Sequence, residues 1–193
     1  MDPLVFNEFQ EIVTLIKIKE RVLEVGAIPS SDSLLTIDAL SRAERVGINI
    51  KGDIEFGGFK IIEGNGNNMS MFPTGYFDLV MSNATIEHDP FFWKTCAEMR
   101  RVLRVDGAAI IGGPGFTHET GLTELGIQVV PWEDDLWKSQ AKSALTFRYH
   151  GAPMDYYRFS PTAFHDVIFE GYRDVSIKSI MVPPRIIAYG FKC

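Results

Sequence analysis

Five strand-length apolar runs, at residues 21–26, 45–50, 59–63, 76–82 and 108–112, punctuate the chain, and four of them end on or just before glycine or serine. Runs apolar on both faces cannot lie on a half-wet sheet, so they predict buried parallel strands that need cover above and below. The cover is written between them. Leu4, Phe6, Phe9, Ile12, Val13, Ile16 and Ile18 fall at helical three- and four-residue spacing, and residues 90–103 repeat the pattern through Phe91, Trp93, Met99, Val102 and Leu103. Ser30-Ser31-Asp32-Ser33 offers helix caps before Leu34, Leu35, Ile37 and Leu40, so a helix is predicted there too. Residues 51–58 read as a polar connection containing glycine, and residues 64–75 as turn-rich. Near the end, Ser160-Pro161 caps a helix through Phe169, and residues 173–181 and 186–192 form two strands joined by Val182-Pro183-Pro184-Arg185. Alternating strands and helices closed by a hairpin predict an α/β, doubly wound, mostly parallel sheet with an antiparallel last strand.

A length of 193 residues suits one domain at roughly 100 to 200 residues each. We therefore read residues 1–193 as a single domain, with residues 117–151, rich in Trp, Pro and Gly, as a lid or substrate insertion. Nineteen Lys and Arg against 25 Asp and Glu leave a net charge of −6 without a basic run, which speaks against nucleic acid or an anionic membrane as partner. Cys96 and Cys193 are too few for a disulfide framework or a four-ligand zinc site, and the start Met1-Asp2-Pro3-Leu4 lacks the basic, then apolar, pattern of a signal peptide. A reducing, cytoplasmic compartment, no bilayer span and no metal are the expectations.

In such sheets ligands bind beyond the carboxyl ends of the strands, so the residues following each strand matter most. After the first strand, Gly26 permits a tight turn, while Ala27, Pro29 and Ser30 stand where a dinucleotide fingerprint needs further glycines. After the second, Asn49 lies where a side chain grips the hydroxyls of a ribose. Its neutral hydrogen bonds contribute about 0.5 to 1.5 kcal/mol each, against about 1.5 to 3 for a carboxylate. The alternative is that Asn49 caps a turn. After the third, Gly64-Asn65-Gly66-Asn67-Asn68-Met69, with Met71 and Phe72, offers amides and an apolar wall for a base.

The fourth strand end carries Phe77-Asp78-Leu79-Val80-Met81-Ser82-Asn83-Ala84-Thr85-Ile86-Glu87-His88, followed by a helix end at Glu98-Met99-Arg100-Arg101-Val102-Leu103 and an apolar strand ending Gly113-Pro114. In this order the motifs resemble class I S-adenosylmethionine-dependent methyltransferases, nearest their small type 11-like group, over roughly residues 22–114. Asp155-Tyr156-Tyr157-Arg158-Phe159-Ser160-Pro161 is similar to a later stretch of that group. The resemblance implies a Rossmann-like methyltransferase fold with a seven-stranded sheet, S-adenosylmethionine as cofactor, and methyl transfer to a small-molecule or glycan-type acceptor. It also implies roles. Glu24 would lie near the cofactor's amino group, Gly26 and Ala27 along its methionine part, and Asn49 with Ile50 at its ribose. Asn65 and Gly66 would meet the adenine edge, and Ser82, Asn83 and Ala84 the backbone beneath the sulfonium. The chain departs from the pattern in its glycine-poor first loop, in Asn49 and Asn65 where acids are usual, and in Asp106-Gly107 where two glycines are usual.

Transfer from a sulfonium mainly requires alignment, and an acceptor that loses a proton also needs a base. His88 beside Glu87 is the candidate base, its rival role being to bond loop backbone. His150, Tyr156 and Tyr157, with Asp155, are candidate acceptor-pocket residues. Trp132, Trp137, Phe147 and Tyr149 are read as an aromatic cover, and Glu98, Arg100 and Arg101 as a solvated helix face. A non-catalytic scaffold of the same fold is the alternative function. A nicotinamide-dependent oxidoreductase is a third reading, opposed by the missing phosphate-binding glycines.

Overall fold

The computed structural model describes residues 1–17, 19–115, 154–180 and 185–193. Ile18, the insertion at 117–151 with His150, Trp132, Trp137, Phe147 and Tyr149, and the Val182-Pro183-Pro184 joint lie outside the described residues.

One mixed sheet organises the chain. Its strands are β1 (Arg21–Val25), β2 (Glu44–Asn49), β3 (Ile54–Phe56), β4 (Phe59–Glu63), β5 (Phe77–Asn83), β6 (Leu103–Pro114), β7 (Tyr172–Ile180) and β8 (Arg185–Lys192), in the spatial order β3-β4-β2-β1-β5-β6-β8-β7. β4, β2, β1, β5 and β6 run parallel, and β8 is antiparallel to both β6 and β7. The order reverses direction at β1, which places the switch between β1 and β5.

The sheet has eight strands rather than seven. The extra one is β3, antiparallel to β4, in the stretch read from sequence as a connection. Gly57 and Gly58, at φ +56° and +80°, supply the two left-handed positions that a two-residue hairpin turn requires.

Two layers cover the sheet. On one face, α1 (Pro3–Leu15) buries Val5, Phe9, Ile12 and Val13 against Val22, Leu79, Met81 and Ile110. Asp2 caps it, accepting from the Leu4 amide, and Pro3 starts it where a missing N–H costs little. The same face receives Leu34, Leu35, Ile37 and Leu40, but the helix predicted for them is replaced by two 3₁₀ turns, Leu34–Thr36 and Asp38–Leu40. Leu34, Ile37 and Leu40 recur every third residue, which a three-residue turn aligns on one side. On the opposite face, α2 (Phe92–Val102) and α3 (Pro161–Ala163), continued by a π turn at Phe164–Ile168, bury Cys96, Met99, Phe164 and Ile168 against Leu23, Val80 and Ala109. Among the described residues no helix is long and apolar enough to cross a membrane.

Glu98 and Arg101 are not the solvated face expected of them. Arg101 pairs with Glu98 at 2.7 Å and donates to the carbonyls of Phe72 at 3.0 Å and Met69 at 2.9 Å, while Glu98 accepts from the Met69 amide at 2.6 Å. The turn-rich segment after β4 is thus clamped to α2 by charge-assisted bonds. Arg100 reaches the other way, to the carbonyl of Glu170.

Candidate active site

The carboxyl ends of β1 and β5 frame a cleft of about 230 Å³. Glu24, Gly26, Ile28 and Asp32 form one wall, Asn83 and Ala84 the second, and Arg185, the first residue of β8, the third; Met1, Asp2 and Val5 close it from α1. This is the switch point at which α/β sheets bind ligands.

Glu24 is 4% exposed. It accepts from the Ser33 hydroxyl and, at 3.4 Å, from the Leu35 amide. Burial pushes its pKa up to about 7, the hydrogen bonds opposing but not cancelling the cost of a buried charge. Gly26 turns the chain at φ +87°. Its amide and that of Ala27 both donate to the Ile48 carbonyl, at 2.9 and 3.2 Å, tying the first loop to the end of β2. A Cβ on Gly26 would lie 2.1 Å from Thr85 Oγ1, so the close neighbour at this glycine is the Thr85 side chain.

At the second wall, Ala84 sits at φ +51°, a left-handed conformation costing a non-glycine residue of order 1 kcal/mol. It turns the chain from β5 into the Ile86–His88 turn, its amide donating to the Gly112 carbonyl at 3.1 Å. Asn83 lies over Gly112, where a Cβ would come within 2.5 Å of its Oδ1. Ser82 is fully buried and donates to the Val25 carbonyl at 3.0 Å, bonding the two strand ends together.

The remaining expected residues gather at the carboxyl edge of β1, β2 and β4, outside that lining. Asn49 donates from Nδ2 to the Ala27 carbonyl at 2.7 Å and accepts the Lys51 amide on Oδ1 at 3.2 Å, so its side chain engages backbone. Ile50 beside it is 67% exposed. Asn65 Oδ1 accepts the Asn67 amide at 2.9 Å in a local turn. Gly66 packs against Thr95, since a Cβ there would stand 2.8 Å from Thr95 Oγ1.

His88 is half-buried and also outside the cleft lining. Its Nδ1 lies 3.1 Å from the Met154 carbonyl, which can only accept, so Nδ1 carries the hydrogen. This contact, the Tyr156 amide donating to the Glu87 carbonyl at 2.8 Å, and the Tyr157 hydroxyl donating to Pro90 O at 3.0 Å dock the 154–157 segment onto the turn after β5. Tyr157 then stacks edge-on with Phe92 at 5.0 Å, while Tyr156 is 49% exposed.

Sequence reasoning about the site left Asp32, Asp89 and Arg185 unnamed. Asp32 and Arg185 line the cleft. Asn67 donates to Asp89 at 2.5 Å and to Thr95 at 2.9 Å, fixing the loop after β4 to α2. Arg185 carried a positional signal, because an antiparallel last strand begins at the ligand edge; the Asn67–Asp89 pairing has none.

Residues 29–111 match a family model described as a methyltransferase domain, a match that begins just after Glu24, Gly26 and Ala27. No curated protein matches the chain. Among solved structures, an S-adenosylmethionine-dependent methyltransferase from Archaeoglobus fulgidus superposes with a TM-score of 0.70 at 16% identity, over 98% of this chain and 93% of that one. A possible exported protein from Bordetella parapertussis also gives 0.70, at 13% identity over 98% and 67%. The 1,6-didemethyltoxoflavin-N1-methyltransferase of Burkholderia thailandensis, with 1,6-didemethyltoxoflavin and S-adenosylhomocysteine bound, gives 0.65 at 12% identity over 99% and 79%. Residues 29–111 are thus similar to a methyltransferase domain, and the chain has the fold of S-adenosylmethionine-dependent methyltransferases of class I.

Proposed function

We propose that this chain binds S-adenosylmethionine at the carboxyl ends of β1 and β5 and transfers its methyl group to a small-molecule acceptor. The observation that carries the reading is the buried Glu24 carboxyl in the wall of the switch-point cleft, with Asp32 beside it. Asp32 is paired with the Met1 ammonium, so Glu24 is the carboxyl there that suits the cofactor's ammonium group, and a pKa near 7 is what a buried acid without a cationic partner shows. When bound, the cofactor supplies a methyl group already activated by its sulfonium.

The chain's own work is to bind and orient. Gly26 and Ala27 shape the loop along the amino-acid portion, and Asn83 and Ala84, backed by Ser82, shape the β5 wall. Asn65 and Gly66 stand on the adenine side, and Ile50 offers an apolar surface next to the ribose position. Asn49 acts there through the first loop, whose Ala27 carbonyl it holds. For an acceptor that loses a proton, His88 is the base: with Nδ1 donating to Met154, the lone pair of the neutral ring sits on Nε2. Tyr156 and Tyr157, docked beside it, and His150 are acceptor-side residues in this reading.

A small-molecule acceptor is supported by the Burkholderia methyltransferase, which holds one, and by the acidic composition of this chain. The free Cys96 and Cys193, the first buried, fit a reducing cytoplasmic setting. Engagement of the Asn49 side chain by backbone favours a second reading, a binding scaffold without turnover. Titration calorimetry with S-adenosylhomocysteine, and NAD as control, separates them. The expected result is micromolar or tighter binding, about −8 kcal/mol, for the first ligand and none for the second. Absence of heat from both, with no thermal shift, would establish the scaffold.

A further inference from the structure

The cleft holds acidic groups at Asp2, Glu24 and Asp32 and two cations, the Met1 ammonium, which is paired with Asp32, and Arg185. Arg185 is 17% exposed at its side chain and faces Glu87, which is 0% exposed, with 3.7 Å between Nη1 and Oε1. That distance is an ion pair without a hydrogen bond. Both Glu87 oxygens are buried without a hydrogen-bond partner, and among the described residues the Arg185 guanidinium makes no hydrogen bond either. The neighbouring pair shows the contrast: Arg158 holds Asp155 through two bonds of 2.5 and 2.6 Å. Arg158 is saturated by its carboxylate, whereas Arg185 keeps its planar fork of donors at the cleft. The buried acid behind it takes none of those donors, and burial raises its pKa against the opposing pull of Arg185 and His88.

We propose that Arg185, backed by Glu87, is an anion anchor at the β8 end of the cleft and that it takes a carboxylate. This rests on reading the cleft as the methyl-transfer site, where two sources provide the group: the α-carboxylate of the cofactor or a carboxylate on the acceptor. Two oxygens in one plane match the guanidinium fork. Glu87 competes with the bound anion for Arg185, with His88, Asp155 and Arg158 also in its surroundings.

The test follows the Arg185 Nε–Hε resonance in ¹⁵N-labelled protein, assigned by its loss in Arg185→Lys, during titration with S-adenosylhomocysteine, 5′-methylthioadenosine and benzoate. A shift with S-adenosylhomocysteine but not with 5′-methylthioadenosine, which lacks the amino-acid group, assigns the anchor to the cofactor. A benzoate shift that persists in protein saturated with S-adenosylhomocysteine assigns it to the acceptor. In either case Arg185→Met weakens binding of the responsible ligand about tenfold or more, and Arg185→Lys restores part of it. Glu87→Gln, which removes the rival charge, tightens the anion about threefold, a change that a merely structural Glu87 would not produce. No shift with either carboxylate in folded protein overturns the anchor; unchanged or weaker binding in a folded Glu87→Gln overturns the part given to Glu87. If S-adenosylhomocysteine fails to bind while benzoate still moves the resonance, the cofactor reading falls and the anchor stands.

Discussion

Thr85 folds back over Gly26, leaving no room for a methyl group on that glycine. Gly26→Ala meets both this overlap and a φ of +87°, so urea denaturation is expected to show a loss of about 2 to 3 kcal/mol. Asn49 presents the opposite lesson. An acid here, as in the methyltransferases that the sequence resembles, would turn the Nδ2 donor into an oxygen facing the Ala27 carbonyl. Asn49→Asp is therefore expected to cost about 1 to 3 kcal/mol of stability and to weaken S-adenosylhomocysteine binding, where a ribose-gripping site would bind it more tightly. Sequence reasoning located both residues because each follows a strand. It could not show what touches them, since Thr85 is 59 positions from Gly26 and the Ala27 carbonyl has no signature in residue type.

At the scale of elements, β1 carries its charge inward. Glu24 binds its proton more tightly in the folded protein, near pH 7, than in the unfolded chain, near 4.5. Between those values the native state holds more protons, so the stabilisation is complete below about pH 4.5 and is lost as pH rises to about 7. The loss amounts to about 3 kcal/mol. Glu24→Gln should flatten that slope in pH-resolved denaturation. A ligand ammonium favours the carboxylate, so affinity for S-adenosylhomocysteine should rise over the same window. The clamp from α2 is tested separately: Arg101→Ala removes bonds to Glu98, Met69 and Phe72, and with a half-exposed guanidinium a loss of about 2 kcal/mol is expected in thermal unfolding. In sequence these residues look like any charged helix face. What makes them structural is the turn-rich segment that returns to meet them.

For the molecule as a whole, the parallel strands and the closing hairpin were legible, because buried strands announce themselves as apolar runs and the chain alternates them with helical spacing. β4 occupies the predicted residues, and β5 lies one residue later than predicted. The 3₁₀ turns after β1 escaped because caps and apolar residues do not distinguish three from 3.6 residues per turn over so short a span. The anchor at Arg185 escaped because it joins residues 98 positions apart.

The small hairpin at the sheet edge has a consequence for behaviour in concentrated solution. Without β3, the outer side of β4 would present unpaired amides and carbonyls beside Phe59, Ile61 and Ile62, a template for a second molecule to add a strand. Three residues and two glycines replace it with a short edge carrying Glu55, flanked by Asp53 and Lys60. A chain with residues 53–58 shortened to a direct turn should keep its cleft and yet self-associate in sedimentation, sheet edge to sheet edge. Six residues at the sheet edge opposite β7 would then be what keeps that edge from pairing with a second molecule.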